Sequence, residues 1–114
     1  MGLKTTNYEV KKRGRILPEA YAIVKDLTVR GNKGYAIIAV QSSRENAEKV
    51  ITGEMLPEEE HRIDFTVNRD ENDRATAYAK AKSQKEVKQF NEETHKLETV
   101  TVNEPFYGWE DDKR

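Results

Sequence analysis

Residues 18–43 limit the possible folds of this chain more than any other segment. Their apolar side chains recur at every second position, as Tyr21, Ile23, Leu27 and Val29 before a turn and as Ala36, Ile38 and Val40 after it. A period of two is typical of strands with one buried face. The turn is Gly31-Asn32-Lys33-Gly34, where glycine and asparagine tolerate the positive φ of tight hairpins. The segment predicts an antiparallel β-hairpin.

Two further segments show strand alternation. In residues 61–69 the apolar side chains Ile63, Phe65 and Val67 share one face, which predicts a third strand. Residues 86–102 predict a second hairpin that turns around residues 91–95. Pro105 ends the last strand, because proline has no N–H to donate to a neighbouring strand.

The helix signals lie in two places. Asn72 or Asp73 can cap a helix that runs to about residue 83, with Ala75, Tyr78 and Ala79 on one stripe. The acidic start of this segment resembles a calcium loop, but Asp73 and Ala79 occupy the positions that require glycine and glutamate. Ser42 and Glu45 have the spacing of a capping box, so residues 42–47 form either a short helical turn or a loop.

These elements predict an α+β fold, with a mainly antiparallel, twisted sheet of about five strands and one helix packed on a face. A length of 114 residues is that of a single domain, and we interpret residues 1–114 as one. Residues 1–15 are either a flexible segment or a strand, since Tyr8 and Val10 alternate like a strand but the charges after them do not. Residues 103–114 form an aromatic and acidic tail.

The composition excludes several classes of function. The chain has no cysteine, which excludes disulfides, a thiol nucleophile and cysteine-ligated zinc. The sequence has no apolar run long enough for a membrane helix. Residues 1–40 carry a net charge of +5 and residues 41–114 of −6, which suits head-to-tail contact between copies as well as it suits separate solvated faces.

No residue pattern indicates catalysis. His61 and His95 have no ligand or base partner at strand or helix spacing, and the serines Ser42, Ser43 and Ser83 lie in no nucleophile motif. The sequence therefore predicts a protein that is not an enzyme and has no cofactor and no metal site.

Four cations in five positions, Lys11, Lys12, Arg13 and Arg15, form the best candidate for nucleic-acid binding. The sequence pI of about 6.2 and the acidic remainder of the chain favour a solvated loop instead. A small regulatory protein that binds nucleic acid through residues 11–15 is therefore the alternative function.

The tail contains three of the nine aromatic residues within four positions, Phe106, Tyr107 and Trp109. Aromatic rings bury large areas in cores and interfaces. Two interpretations stay open: the rings close the core of the chain, or they contact another copy or a partner. In the second case Glu110, Asp111 and Asp112 would be a charged rim that meets residues 11–15.

The segments KTTNYEVKKRG, LPEAYA, QSSREN, VNRDEN, TAYAKAK, FNEET and FYGWEDD, taken in this order, resemble a family of short proteins encoded in prophages of Firmicutes. That resemblance implies a late phage gene near tail and lysis functions, and it supplies no catalytic residues. It implies a non-enzymatic structural or interaction module for tail, baseplate or virion assembly, which associates with itself or with another phage structural protein. It also implies the bacterial cytoplasm during expression and the virion as locations.

Overall fold

Seven strands and two helices lie in residues 2–112, the part of the chain that the computed structural model describes. In chain order they are β1 (Gly2–Val10), β2 (Arg15–Arg30), β3 (Lys33–Gln41), α1 (Arg44–Ile51), β4 (Glu59–Thr66), α2 (Asp73–Ala81), β5 (Gln84–Asn91), β6 (Lys96–Asn103) and β7 (Glu110–Asp112). A five-stranded sheet has the order β4-β3-β2-β1-β7, and β5 and β6 form a separate two-stranded sheet. Each pair of neighbouring strands is antiparallel, which confirms the predicted antiparallel α+β architecture.

The first predicted hairpin is confirmed as β2 and β3. Gly31 has a φ of +63° at the first position of the turn, a conformation that glycine adopts without steric cost. Gly34 meets a different requirement, because it lies opposite Phe65 on β4. A Cβ atom on Gly34 would lie 2.6 Å from Cζ of the Phe65 ring, so the absence of a side chain lets the ring cover this part of β3.

Strand β2 is long because it forms an antiparallel pair with each of two neighbouring strands. Its first half pairs with β1 and its second half with β3. The register with β3 shifts between Val24 and Asp26, as it does at a β-bulge, where one extra residue bends the strand. The hydroxyl of Tyr78 on α2 accepts a hydrogen bond from the Val24 amide at 2.7 Å. The helix therefore satisfies a buried backbone donor at the irregular point of the sheet.

The main core lies between the sheet and α2. Ala20, Ala22 and Val24 of β2 and alternate residues of β3 point into it, and α2 adds Ala77, Tyr78 and Ala81. The predicted face of β2 is wrong before the bulge, because Tyr21 and Ile23 alternate with these core residues and point to the other face. After the bulge, Leu27 packs against the core as predicted. Small alanine side chains let the helix approach the strands closely, with Tyr78 as its large contact. Tyr78 is buried as predicted, but Ala79 of the predicted stripe is exposed, and Ala77 and Ala81 are the buried alanines. The sheet residues of this core include Leu3, Val10, Leu17, Ala20, Ala22, Val24, Ala36, Ile38, Val40, Ile63 and Phe65.

The expectation of one helix on one face is not confirmed, because a second helix, α1, packs against β2 and β3. Its buried residues Ala47 and Val50 lie outside the main core cluster. Buried Ala39 alternates with the core residues along β3 and so points to the other face. The N-cap is Ser43, whose hydroxyl accepts from the Asn46 amide, one residue later than the predicted cap. The helix then runs to Ile51, so each face of the sheet has a helix.

The second predicted hairpin is confirmed as β5 and β6, with a turn at residues 92–95. Asn91 builds this turn, because its side-chain oxygen accepts from the Glu93 amide at 2.9 Å. His95 has a φ of +56° and donates its amide to the Asn91 carbonyl at 2.8 Å. After β6 the chain returns to the main sheet, where β7 pairs with residues 2–4 of β1.

Candidate interaction surface

The aromatic tail is held against the body of the protein by its backbone. The Glu104 amide donates to the Ser83 carbonyl and the Phe106 amide donates to the Ala81 carbonyl, both at 3.0 Å. These bonds dock the tail on the end of α2, and β7 then fixes it to β1. Residues 113 and 114 of the predicted tail lie outside the described residues.

Two of the three tail aromatics lie in the core. Phe106 is fully buried and Trp109 is 8% exposed. Their ring centroids are 4.9 Å apart in an edge-to-face arrangement, and Tyr8 of β1 contacts Trp109 in the same way at 5.1 Å. Such pairs stabilise a core beyond their buried area. Tyr107, which is 49% exposed, is the tail aromatic that a partner could reach.

The basic segment forms the turn between β1 and β2, and half of its cations are used within the chain. Arg13 and Arg15 both form ion pairs with the carboxylate of Glu58, just before β4. Lys11 and Lys12 are exposed, and within residues 2–112 they have no ion-pair partner. The structure therefore divides the predicted cluster into two half-exposed arginines that pair with Glu58 and two solvated lysines.

Glu59 joins β1 to β4 next to this turn. Its carboxylate accepts a hydrogen bond from the Tyr8 hydroxyl and pairs with the His61 ring. Burial, and then the bond to Glu59, raise the pKa of Tyr8 above its ordinary value. The His61 ring also packs edge-to-face on Phe106, with centroids 5.3 Å apart. His61 therefore supports the packing of the tail.

A cleft of about 480 Å³ lies between β1, the start of α1 and β7. On its wall the Ser42 and Ser43 hydroxyls accept from the side chain and the backbone of Asn46, at 3.0 and 3.1 Å. Tyr21, at its edge, forms a hydrogen bond with Asp112, and burial and this bond raise the pKa of Tyr21 to about 12. A hydroxyl with that pKa stays protonated at neutral pH and is not poised as a base. The lining residues are Lys4, Thr5, Thr6, Glu19, Ala20, Tyr21, Ser42, Ser43, Arg44, Gly108, Glu110 and Asp112.

Within residues 2–112, no cluster of three or more potential ligand side chains is placed to hold a metal ion. No helix in these residues has the length and apolar character that crossing a bilayer requires.

The β5–β6 hairpin is the surface that sequence reasoning did not single out as a site. Phe90 and Leu97 lie opposite each other near its tip and are 53% and 67% exposed. Val87 and Val100 form a second cross-strand pair and are half-buried. A signal for this surface was present in the sequence. Phe90 and Leu97 stand on either side of a polar turn, and the predicted hairpin has few other apolar residues that could cover them.

Comparison of the chain with protein-family models, curated proteins and solved structures finds no match.

Proposed function

We propose that this protein is a non-enzymatic, self-associating assembly module and that it associates through the β5–β6 hairpin. The observation that carries the proposal is the position of this hairpin. It is a two-stranded sheet apart from the main sheet, and it presents Phe90 and Leu97 to solvent. Exposed apolar side chains that lie together on a protruding element are typical of interaction sites.

The energetics of a hairpin support the proposal. A two-stranded hairpin is marginally stable in water and gains stability when a third strand or another element packs on it. Full burial of a Phe or Leu side chain contributes about 1.5–3 kcal/mol each. Association of the hairpin would therefore stabilise an element that has little support within one copy.

The shape of the molecule is consistent with an extended arm. Its radius of gyration is 15.8 Å, whereas a compact domain of this length has a value of about 13 Å. The other strands form the main sheet, and both helices pack against it. In contrast, β5 and β6 pack mainly against each other.

The other candidate surfaces give weaker support to a function. Phe106 and Trp109 are buried in the core, and Arg13 and Arg15 already pair with a carboxylate, that of Glu58. Two free lysines offer few phosphate contacts, and affinity for nucleic acid grows with the number of such contacts. Self-association through the hairpin therefore has more support than nucleic-acid binding through residues 11–15.

The resemblance to prophage proteins of Firmicutes supplies the biological setting of the proposal. A small chain that forms a discrete oligomer suits the tail, baseplate or virion assembly that this resemblance implies. Under the proposal the chain is made in the bacterial cytoplasm, and its partners are copies of itself and then other structural proteins of the phage.

A shortened hairpin tests the proposal. Lys85 and Val102 lie opposite each other, so residues 86–101 can be replaced by Asn-Gly, which favours a two-residue hairpin turn. Light scattering after size exclusion, over a wide range of concentration, gives the mass of this variant and of the wild type. We expect a wild-type oligomer and a folded monomeric variant, with circular dichroism as the control for folding. A monomeric wild type, or a variant with the oligomeric mass of the wild type, would show that the proposal is wrong.

A further inference from the structure

We infer that two copies of the chain pair through the outer edge of β5, antiparallel and with Val87 on a two-fold axis, so that their hairpins form one four-stranded sheet. This inference rests on the proposed function and specifies the strand register of its interface, in which Phe90 of each copy lies opposite Gln84 of the other, on the face opposite Val87. The occupant of the edge is a second copy, because the charges along β5 complement themselves in this arrangement and in no neighbouring one.

The outer edge of β5 is open. Within residues 2–112 the strand pairs with β6 on one side, and no strand lies on the other. Such an edge presents a row of backbone N–H and C=O groups that another strand can pair with. An eight-residue strand (Gln84–Asn91) is long enough for several of these hydrogen bonds.

The sequence Glu86-Val87-Lys88 decides how two such edges can meet. When Val87 lies opposite Val87 of the second copy, Glu86 of each copy lies opposite Lys88 of the other. Opposite charges on directly opposed residues stabilise a strand pair. The contact is isologous, so both ion pairs form at once and no edge of β5 is left free.

Neighbouring registers are opposed by the same residues. A shift of two positions in one direction places Lys88 opposite Lys88, and in the other direction it places Glu86 opposite Glu86. Like charges on opposed residues are destabilising, and a shift of one position would exchange the faces of the strand. Charged residues usually protect an edge from pairing; here they oppose the registers shifted by two positions and favour the one centred on Val87.

The side chains of β6 extend the match. Val100 lies opposite Val87 within each hairpin. In the two-fold pairing, Val87 of one copy lies beside Val87 of the other, and Val100 of each copy lies on the outer side of its own Val87. The four valines therefore form a row across one face of the shared sheet. β-Branched residues in such a row pack well across strands. The half-exposed Val87 of the single copy would gain a neighbour on its open side.

Cysteine cross-linking tests the geometry directly, because the chain has no cysteine of its own. Opposed residues of an antiparallel pair have Cα atoms about 4.5–5.5 Å apart, which suits a disulfide. Val87→Cys should therefore form a covalent dimer on mild oxidation. Val100→Cys is the matched control, with the same residue type on the same face, and its two thiols would lie about 14 Å apart, three strand spacings.

Charge reversal tests the register. Glu86→Lys and Lys88→Glu each replace two attractive pairs by two repulsive ones, and we expect each to raise the dimer dissociation constant about tenfold or more. The double variant Glu86→Lys with Lys88→Glu restores opposite charges and should recover the wild-type constant. Sedimentation equilibrium of the four proteins measures these constants.

The outcomes separate the interface from the function. Efficient cross-linking at position 87 and recovery in the double variant support the two-fold β5 edge. Cross-linking at position 100 instead, or charge variants with wild-type constants, would overturn it, and the proposed function would stand as long as the shortened hairpin dissociates the oligomer. If the shortened hairpin leaves the oligomer intact, the proposed function itself is wrong.

Discussion

Single side chains in this protein hold together parts of the sequence that are far apart. Tyr78 illustrates this at the bulge of β2, where its hydroxyl accepts the Val24 amide across 54 positions of sequence. Burial raises the pKa of Tyr78, so the neutral hydroxyl is the form present under ordinary conditions. The residue is both the large apolar contact of α2 and a hydrogen-bond partner for the sheet.

Removal of this hydroxyl should destabilise the protein measurably. Tyr78→Phe keeps the ring and leaves the buried Val24 amide without its acceptor, which costs about 1–3 kcal/mol. Urea unfolding measures the difference. Tyr107→Phe, on an exposed ring, should stay within about 0.5 kcal/mol of the wild type. Equal stability of all three proteins would mean that another group satisfies the amide.

Trp109 distinguishes a core aromatic from an interface aromatic. Since it packs on Tyr8 and Phe106, Trp109→Ala should lower the unfolding free energy by about 3–5 kcal/mol. The oligomeric mass of the variant that remains folded should equal that of the wild type by light scattering. A folded variant of normal stability and lower mass would place Trp109 at an interface instead.

Tyr21 gives the protein a dependence on alkaline pH. Burial and the bond to Asp112 raise its pKa from 10.0 to about 12 in the folded chain, so the folded state retains the proton that the unfolded state loses first. The stabilising effect is complete below pH 10 and is lost as the pH rises toward 12. Urea midpoints should fall across this range, and less steeply in Tyr21→Phe. Identical slopes in the two proteins would contradict this role of Tyr21.

At the scale of elements, each helix begins at a side chain that accepts an amide of its first turn. Asn72 accepts from Ala75 at 2.7 Å and Ser43 accepts from Asn46 at 3.1 Å. Asn72→Ala should lower the unfolding free energy by about 1 kcal/mol, whereas Asn72→Gly should change it by a few tenths. Urea unfolding of both variants checks this, and equal losses for alanine and glycine would argue against a capping role.

Local signals in the sequence predicted the elements that depend on neighbouring residues. The hairpin at Gly31 and the Asn72 cap of α2 are examples, because turn chemistry and capping act within a few positions. The length of α1 was not predicted. Its apolar positions, Ala47 and Val50, are few, and they become informative when β2 and β3 lie beneath them.

Contacts between distant segments were not predictable from these signals. The pairing of β7 with β1 joins Asp112 to Gly2 across almost the whole chain, and no local pattern indicates it. The bulge at Val24 also escaped prediction, because alternation through residues 21–29 suggested an uninterrupted strand. Both features involve contacts between segments far apart in the sequence, as does the burial of Phe106 and Trp109 against Tyr8.

At the scale of the whole molecule, the separation of the two sheets is the feature with most consequence. Alternation in residues 84–103 predicts strands, but it does not say which sheet they join. Within residues 2–112 they join neither edge of the main sheet, and no strand pairs with the outer edge of β5 or of β6. Under the proposed function, these outer edges and the exposed Phe90 and Leu97 are the places where another copy would bind.

The shape of the oligomer provides the last prediction. If two copies share a four-stranded sheet made from their hairpins, the two bodies lie on either side of it and the dimer is a dumbbell. Small-angle X-ray scattering should then give a pair-distance distribution with two maxima and a maximum dimension beyond the 50 Å length of one copy. The shortened hairpin, with residues 86–101 replaced by Asn-Gly, should give one maximum and a radius of gyration below 15.8 Å. A wild-type dimer with a single compact maximum would mean that the bodies are in direct contact, because a shared sheet of hairpins holds them apart.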